Sequence, residues 1–234
     1  VVEDPSAAGP ADLVIIAVKL WGTEAAARAV KPIVGQDTAV LSLQNGVTKD
    51  DILRAEFGEK AVMGGVAYVA THIARPGVIC QTGKLQRLVF GEYDGRRSAR
   101  AETLLAHLLR AGIQAELSDD IRRTLWEKYS FLVGLSGTTA TMRMPIGAIR
   151  KNPQTRAFLF EILKETVAVG QALGVALPEN YAEDRLAFAD SVPESMTSSM
   201  HHDLERGNPL EVAWLSGGVV QLGQKAGVPT PANR

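Results

Sequence analysis

The chain has 234 residues, of which 46% are hydrophobic and 22% charged, and its formal net charge is −1. This composition is typical of a folded protein, and the balanced charge excludes the basic surface that nucleic-acid binding requires. The single cysteine, Cys80, excludes a disulfide framework and a cysteine-rich metal site. The longest strongly apolar run, residues 13–18, is too short to cross a membrane, and no signal segment opens the chain. We therefore expect a soluble, cytoplasmic protein without a membrane partner.

The first half of the chain alternates strand patterns with helix patterns. Residues 13–18 and 38–43 are continuous apolar runs, which are typical of parallel strands buried on both faces. An alanine-rich helix is predicted between them. Further strands are predicted at 61–73, 85–92 and 113–117, and an amphipathic helix at 98–112. This alternation predicts an α/β fold, a parallel sheet with crossover connections.

The second half of the chain, from Ser118 onward, contains only helix patterns. The first predicted helix has Ser118 as its N-cap and two acids in its first turn. The second has Asn152 as its N-cap, Pro153 at its first position and Gly174 just past its end. A third is predicted over residues 211–227. The sequence thus predicts a partial α/β domain over residues 1–117 and an all-helical domain over 118–234.

Lys128 is the most informative polar residue in the helical half. On a helical wheel it lies near the centre of an apolar stripe formed by Ile121, Leu125, Leu132 and Leu135. A lysine is costly there unless it is paired, snorkels or lines a cavity. Two interpretations stay open: a snorkelling lysine at a domain boundary, or a lysine of lowered pKa that gives a proton to a substrate oxygen.

Two polar residues follow the two buried strands. Lys19 ends the segment AVK, and Asn45 stands in LQNG. Ligands of open α/β sheets bind at the carboxyl ends of the strands, so both side chains are candidates for a ligand site. The alternatives are a solvated charge for Lys19 and a plain Asn-Gly turn for Asn45.

The segment TSSMHHDLERGNPLEV holds further candidates with strong structural alternatives. Thr197 or Ser198 is expected to cap a helix beside Ser199. Glu211 comes three residues after Asn208, and this spacing is typical of a capping box at a helix start. Capping and ligand binding both stay open for this segment.

Other patterns with chemical meaning are weak. The histidines at positions 72, 107, 201 and 202 lack metal-ligand spacing, so no metal site is predicted, and the adjacent pair His201 and His202 is expected on the surface. No nucleophile-base-acid arrangement is visible. The phosphate-binding pattern G-x-G-x-x-G does not occur in these residues.

Five segments, taken in order, resemble the ketopantoate reductase (2-dehydropantoate 2-reductase) family: AVKLW, LQNG, LWEKYSFLVGLSGTTA, TSSMHHDLERGNPLEV and AGVPTPAN. The resemblance implies an N-terminal Rossmann domain that binds NADPH, an all-helical C-terminal domain and an active site in the cleft between them. It also implies a homodimer. The implied reaction reduces the small 2-oxo acid ketopantoate to pantoate, a step in pantothenate and coenzyme A synthesis.

The resemblance also assigns roles to individual residues. Lys128 matches the general-acid lysine of the family. Asn45 matches an asparagine near the nicotinamide and the substrate, and Lys19 a lysine on the cofactor side. Ser199 and Glu211 match residues that bind the substrate.

Two departures from the family pattern bear on function. The glycine-rich cofactor turn is expected before Val1, which suggests that the sequence is part of a longer chain. Three family asparagines are replaced, by Leu132, Ile146 and Met196, so the resemblance supports reductase chemistry better than one particular substrate. Two alternatives stay open: a reductase of a different 2-oxo acid, and a non-catalytic helical binding or dimerisation module.

Overall fold

A computed structural model describes residues 2–234, apart from the side chains of residues 84 and 85. The chain divides into two compact units. Unit 1 contains the residues up to Asn45 together with Lys49–Leu125, and unit 2 contains Gly46–Thr48 and Trp126–Arg234. The assignment of functional domains at 1–117 and 118–234 stays a prediction. No described helix is long and apolar enough to span a membrane.

Unit 1 is built on a five-stranded sheet in the order β1-β2-β3-β4-β5. The strands are β1 (Ala11–Ile16), β2 (Val34–Ser42), β3 (Val62–Arg75), β4 (Val78–Gly91) and β5 (Gln114–Leu117). Three of the four strand pairings are parallel, and β3 pairs with β4 antiparallel. Three helices belong to this part of the chain: α1 (Thr23–Val30), α2 (Lys49–Phe57) and α3 (Ala99–Arg110). The predicted α/β class with a mostly parallel sheet is confirmed.

The connection from β3 to β4 corrects one detail of that prediction, because it is a hairpin and not a crossover. Only Pro76 and Gly77 separate the two strands, and a parallel crossover needs a dozen or more residues. Gly77 has a φ of 77°, a left-handed conformation that glycine adopts without strain.

Strand β2 is buried on both faces, which explains its continuous apolar run. In β1 one face is open, because Ile15 is 49% exposed, so the prediction that residues 13–18 are buried on both faces is wrong for that face. In β2, Val40 belongs to one apolar cluster and its neighbour Leu41 to a second one. Successive side chains of a strand point to opposite faces, so the two clusters cover the two sides of the sheet.

Unit 2 is helical, and its described part contains no strand. Its elements are α4 (Ile121–Met142), which begins in unit 1, α5 (Ile146–Lys151), α6 (Pro153–Ala172), α7 (Tyr181–Ser191), α8 (Ser199–Glu205) and α9 (Ser216–Ala226). One large apolar cluster forms its core. Helix α6 approaches α4 closely at Gly170, where an added Cβ atom would lie 2.7 Å from the Trp126 ring.

The helix starts are set by short polar side chains, with one correction. Helix α6 begins as predicted, because the side-chain oxygen of Asn152 accepts hydrogen bonds from the amides of Gln154 and Thr155. Helix α4 is capped by Asp120 and not by Ser118. The Asp120 carboxylate accepts from the Arg123 amide at 2.9 Å, so the helix starts at Ile121, two residues later than a Ser118 cap predicts.

The prediction of a helix from Glu211 is wrong, because α9 begins only at Ser216. Asn208 does not cap it. Its backbone amide donates to the Asp203 carbonyl and its side chain to the Asp203 carboxylate, so both groups are used at the end of α8. Residues 211–215 instead form a turn in which the Glu211 carbonyl accepts from the amides of Trp214 and Leu215.

Candidate functional site

Lys19 and Asn45 lie at the same edge of the sheet in unit 1. They follow β1 and β2, which are parallel neighbours, so both loops leave from the carboxyl ends of the strands. Both residues are half-buried, and the Lys19 ammonium lies 5.8 Å from the centroid of the Trp21 ring. The chain also turns here, with Gly46 at a φ of 91°. The turn and the ligand-binding interpretation of Asn45 are therefore compatible.

The residue before Asn45, Gln44, is buried and connects the two loops. Its side-chain nitrogen donates to the Val18 carbonyl at 2.9 Å and to the Thr23 hydroxyl at 2.8 Å. Its side-chain oxygen accepts from the Ser42 hydroxyl at 2.9 Å. Every hydrogen-bonding group of the amide side chain is thus engaged, which leaves it one orientation.

A buried ion pair lies beside this loop, between Lys49 and Asp50 at the start of α2. The Lys49 ammonium is 3.2 Å from the carboxylate, and it also donates to the carbonyls of Ser42 at 2.9 Å and Gly65 at 3.3 Å. Burial lowers the pKa of Lys49, and the Asp50 carboxylate opposes that shift. The Tyr93 hydroxyl donates to Asp50 at 2.6 Å, and burial followed by that carboxylate raises the pKa of Tyr93.

Lys128 lies on α4 in unit 2 and is half-buried. The stripe predicted around it is partly confirmed: Ile121, Leu125 and Leu135 are buried and Leu132 is half-buried. The helix also buries a second set of side chains, Trp126, Tyr129 and Val133, which the wheel did not single out. Half-burial fits both the snorkelling and the proton-donor interpretation of Lys128.

The turn that contains Glu211 is anchored to α4 next to Lys128. The Tyr129 hydroxyl donates to the Leu215 carbonyl at 2.6 Å and lies 3.1 Å from the Trp214 carbonyl. Glu211 itself is buried, with 7% of its surface exposed. The structure thus brings the Glu211 turn to the residue that follows Lys128.

The segment that contains Ser199 is anchored elsewhere on α4, through the neighbouring residue Ser198. Ser199 is the exposed first residue of α8. Of the two caps that the sequence offered, Thr197 and Ser198, the structure has Ser198, which accepts from the His201 amide at 3.1 Å. The Ser198 hydroxyl is 2.9 Å from that of Thr139. Thr139 lies about three turns along α4 from Lys128, or roughly 16 Å at the rise of an α-helix. The segment of Ser199 is thus attached to α4 about three turns from Lys128, whereas the Glu211 turn is attached to α4 at Tyr129, the residue after Lys128.

The histidine prediction is half wrong. His202 is exposed, but His201 is buried, with 5% of its surface exposed. The Nδ1 atom of His201 is hydrogen-bonded to the Thr197 hydroxyl, and its Nε2 atom lies 3.7 Å from the Glu205 carboxylate. A one-turn spacing to a threonine and to a glutamate was the available signal for this buried position.

The three positions where the resemblance led us to expect asparagine carry apolar side chains in contact with the core of unit 2. Ile146 is fully buried, and Leu132 and Met196 pack against the core from partly exposed positions. The Ile146 amide donates to the Met196 carbonyl at 2.9 Å, so these two positions are neighbours. Met196 comes three residues before Ser199, and Leu132 one turn after Lys128.

Sequence patterns missed Gln44 and Lys49 as parts of this site. A glutamine after a strand and a lysine at the start of a charged helix are usually solvated. The available signal was their position in the chain close to Asn45, a candidate that the sequence had already indicated.

The comparisons with known proteins give one consistent result. Residues 1–95 match the family model described as ketopantoate reductase PanE/ApbA, and residues 120–234 match its C-terminal part. The 2-dehydropantoate 2-reductase of Mesorhizobium japonicum is 32% identical over 95% of this chain and 74% of its own length.

Solved structures agree with this assignment. A PanE/ApbA family ketopantoate reductase from Ralstonia eutropha has a TM-score of 0.88 and 35% identity, covering 99% of this chain and 75% of that protein. The 2-dehydropantoate 2-reductase of Geobacter metallireducens has a TM-score of 0.89 and 30% identity, covering 98% of this chain and 76% of that protein. This chain belongs to the ketopantoate reductase family of oxidoreductases, which act on CH–OH groups.

Proposed function

We propose that this protein reduces a 2-oxo acid to the 2-hydroxy acid with NADPH, and that ketopantoate, reduced to pantoate for pantothenate and coenzyme A synthesis, is the first substrate to test. The observation that carries the proposal is the Tyr129 anchor, which ties the turn that contains the buried Glu211 to α4, the helix that carries Lys128. An ammonium group and a carboxylate on neighbouring elements suit a substrate that has both a carbonyl oxygen and a hydroxyl group.

The proposed roles follow from the chemistry of the side chains. Lys128 holds a proton and gives it to the carbonyl oxygen, and its positive charge stabilises the alkoxide that develops there. Ser199 and Glu211 bind and orient the oxo acid. Glu211 accepts a hydrogen bond from the substrate, which is stronger when the acceptor is charged.

The residues at the sheet edge fit a nicotinamide cofactor. Lys19 and Asn45 follow adjacent parallel strands, and ligands of open α/β sheets bind at that edge. An ammonium and a carboxamide suit the phosphate and amide groups of such a cofactor. When bound, NADPH supplies the hydride.

A second candidate substrate is a 2-oxo acid with an apolar chain. The apolar side chains of Leu132, Ile146 and Met196 favour it, because they cannot hydrogen-bond a polar substrate group. A non-catalytic binding or dimerisation module remains the alternative from another class.

A substrate panel on the full-length gene product tests these candidates. NADPH oxidation is measured with ketopantoate and with 2-oxo acids of increasing apolar chain length. The highest kcat/KM for ketopantoate supports the first candidate, and the highest value for an apolar oxo acid supports the second. Binding of NADPH without reduction of any 2-oxo acid contradicts both and favours the non-catalytic module.

We also propose a cytoplasmic homodimer. Light scattering on the same preparation is expected to give twice the mass of one chain. A mass of one chain at micromolar concentration contradicts this part of the proposal.

A further inference from the structure

The buried polar network around Gln44 connects the two loops that carry Lys19 and Asn45. Val18, which accepts from the Gln44 side chain, directly precedes Lys19. Asn45 directly follows Gln44 in the chain. Gln44 is therefore linked to both candidate residues. It is bonded covalently to Asn45, and its side chain is hydrogen-bonded to Val18, the residue before Lys19.

Thr23 extends the network to the far end of the first loop. Its hydroxyl accepts from the Gln44 side chain at 2.8 Å and donates to the Leu20 carbonyl at 2.8 Å. The loop is thus held on both sides of Lys19, at Val18 and at Leu20. Thr23 is fully buried and Gln44 has 7% of its surface exposed, so water does not compete well for these bonds.

The second loop, which contains Asn45, is held at its base by Ser42 and Lys49. The Ser42 hydroxyl donates to the side-chain oxygen of Gln44. The backbone amide of Gln44 lies 3.3 Å from the same hydroxyl. The Ser42 carbonyl accepts from the buried Lys49 ammonium, which also binds the Gly65 carbonyl of β3. The base of the Asn45 loop is therefore fixed to the end of β2 and to a residue inside β3.

We propose that Gln44 is a positioning residue, which sets the places of Lys19 and Asn45 relative to each other. This inference rests on the proposed function for its kinetic consequence, but its structural part stands on the network alone. A bound reactant must be held to within a fraction of an ångström, and a misplacement of about 1 Å costs on the order of 100-fold in rate.

The test compares Gln44→Met with a matched control in the full-length protein. Gln171 makes the same kind of bonds elsewhere, since its side-chain nitrogen donates to the carbonyls of Leu177 at 3.4 Å and Pro178 at 2.9 Å. Gln171→Met reports what the loss of such bonds does to stability alone. Thr23→Val is the milder second variant, because it removes one arm of the network and keeps the side-chain shape.

The first readout is amide hydrogen exchange, which needs no activity. Gln44→Met and Thr23→Val are expected to exchange faster than wild type in both segments 17–23 and 43–48, and Gln171→Met in neither. Unchanged exchange in segment 17–23 of both variants overturns the proposal. If wild type reduces no 2-oxo acid, the proposed function fails and this readout still decides the positioning role.

The second readout separates kcat from KM. Gln44→Met is expected to lower the single-turnover rate of hydride transfer by roughly 10- to 100-fold, with little change in the KM of the oxo acid. Gln171→Met is expected to keep the wild-type rate of hydride transfer, even if its melting temperature falls as much as that of Gln44→Met. Equal rate losses in the two variants contradict a positioning role and indicate a general loss of stability.

Discussion

Among single residues, Lys128 and Glu211 contrast in how the structure bears on their two interpretations. The half-burial of Lys128 on α4 is compatible with either of its interpretations. For Glu211 the capping interpretation is removed, because α9 begins five residues later and Asn208 bonds to Asp203. Ligand binding is the interpretation of Glu211 that stays open.

Lys128→Ala is expected to lower kcat by about two to four orders of magnitude, the usual scale for a positioned proton donor. Folding is expected to survive, because the side chain is only half-buried. Lys164→Ala is the control, since Lys164 is an exposed lysine paired with Glu161 on α6. Steady-state kinetics on both variants provide the measurement, and normal turnover of Lys128→Ala shows that the assignment is wrong.

Glu211→Gln is expected to raise the KM of the oxo acid and to leave the affinity for NADPH unchanged. The neutral amide keeps the shape of the buried side chain but loses a charge-assisted hydrogen bond of about 1.5–3 kcal/mol. The melting temperature is expected to stay near wild type, because the turn is held by the backbone carbonyl of Glu211. A normal KM in this variant removes Glu211 from the substrate site.

At the scale of secondary-structure elements, local polar side chains decide where helices start and how strands connect to them. Asn152 and Asn180 are both N-cap residues, but only Asn152 makes a side-chain hydrogen bond to its helix. Glu92, just past β4, bonds to Ser98, the N-cap of α3, and to Arg100 inside that helix.

Asn152→Ala is expected to lower the free energy of unfolding by about 1 kcal/mol, because two amides of α6 lose their acceptor. Asn180→Ala is the matched control and is expected to change it far less. Urea denaturation of the two variants measures the difference. Equal losses would show that the hydrogen bonds of Asn152 do not stabilise α6.

Glu92→Gln is expected to remove part of the acid sensitivity of the protein. Burial opposes ionisation of Glu92, but the hydrogen bonds from Arg100 and Ser98 outweigh it and lower the pKa of the carboxyl below its usual 4.5. The carboxylate therefore stabilises the fold above pH 4.5, and that contribution is lost as the pH falls through the lowered folded-state value.

The measurement is the melting temperature at pH 7 and at pH 3. The variant is expected to be less stable than wild type at pH 7, and the difference in melting temperature between the two proteins is expected to be smaller at pH 3. Glu194→Gln is the control, because its pairing with Lys151 is exposed and screened by solvent. A gap that stays constant with pH contradicts the prediction for Glu92.

At the scale of the whole molecule, the buried Lys49–Asp50 ion pair makes the stability of the fold sensitive to a single substitution. Lys49→Met leaves the Asp50 carboxylate buried without its counter-ion, a change that typically costs about 3–5 kcal/mol. The total stability of a folded protein is about 5–15 kcal/mol, so this one substitution removes a large share.

Calorimetric or urea unfolding is the measurement for Lys49→Met, and two further variants complete the test. Lys49→Met/Asp50→Asn is expected to recover part of the loss, because the neutral amide still accepts from Tyr93. Lys31→Met is the surface control, since Lys31 is exposed in its pair with Glu56. Its loss in the free energy of unfolding is expected to be about 0–1 kcal/mol. A similar loss for Lys31→Met and Lys49→Met contradicts the buried-pair argument.

The sequence by itself determined the fold class and several helix ends. The apolar run at 38–43 predicts a strand buried on both faces, because a strand covered on both sides has no polar face. The run at 13–18 predicts a strand correctly, but one of its faces is exposed at Ile15. Asn152 could be identified as a cap, and the cap of α8 could be narrowed to Thr197 or Ser198, because capping depends on residues two or three positions away in the chain. The family motifs are likewise short sequence segments, so their order along the chain could identify the family without the structure.

Only the tertiary structure decided the features that depend on distant partners. Glu211 is not a capping residue because Asn208 bonds back to α8, and its turn is held by Tyr129 from another helix. Lys49 and Gln44 are buried because neighbouring strands and loops supply their hydrogen-bond partners. A local pattern contains no information on such partners, because they become neighbours only when the sheet and the helices pack.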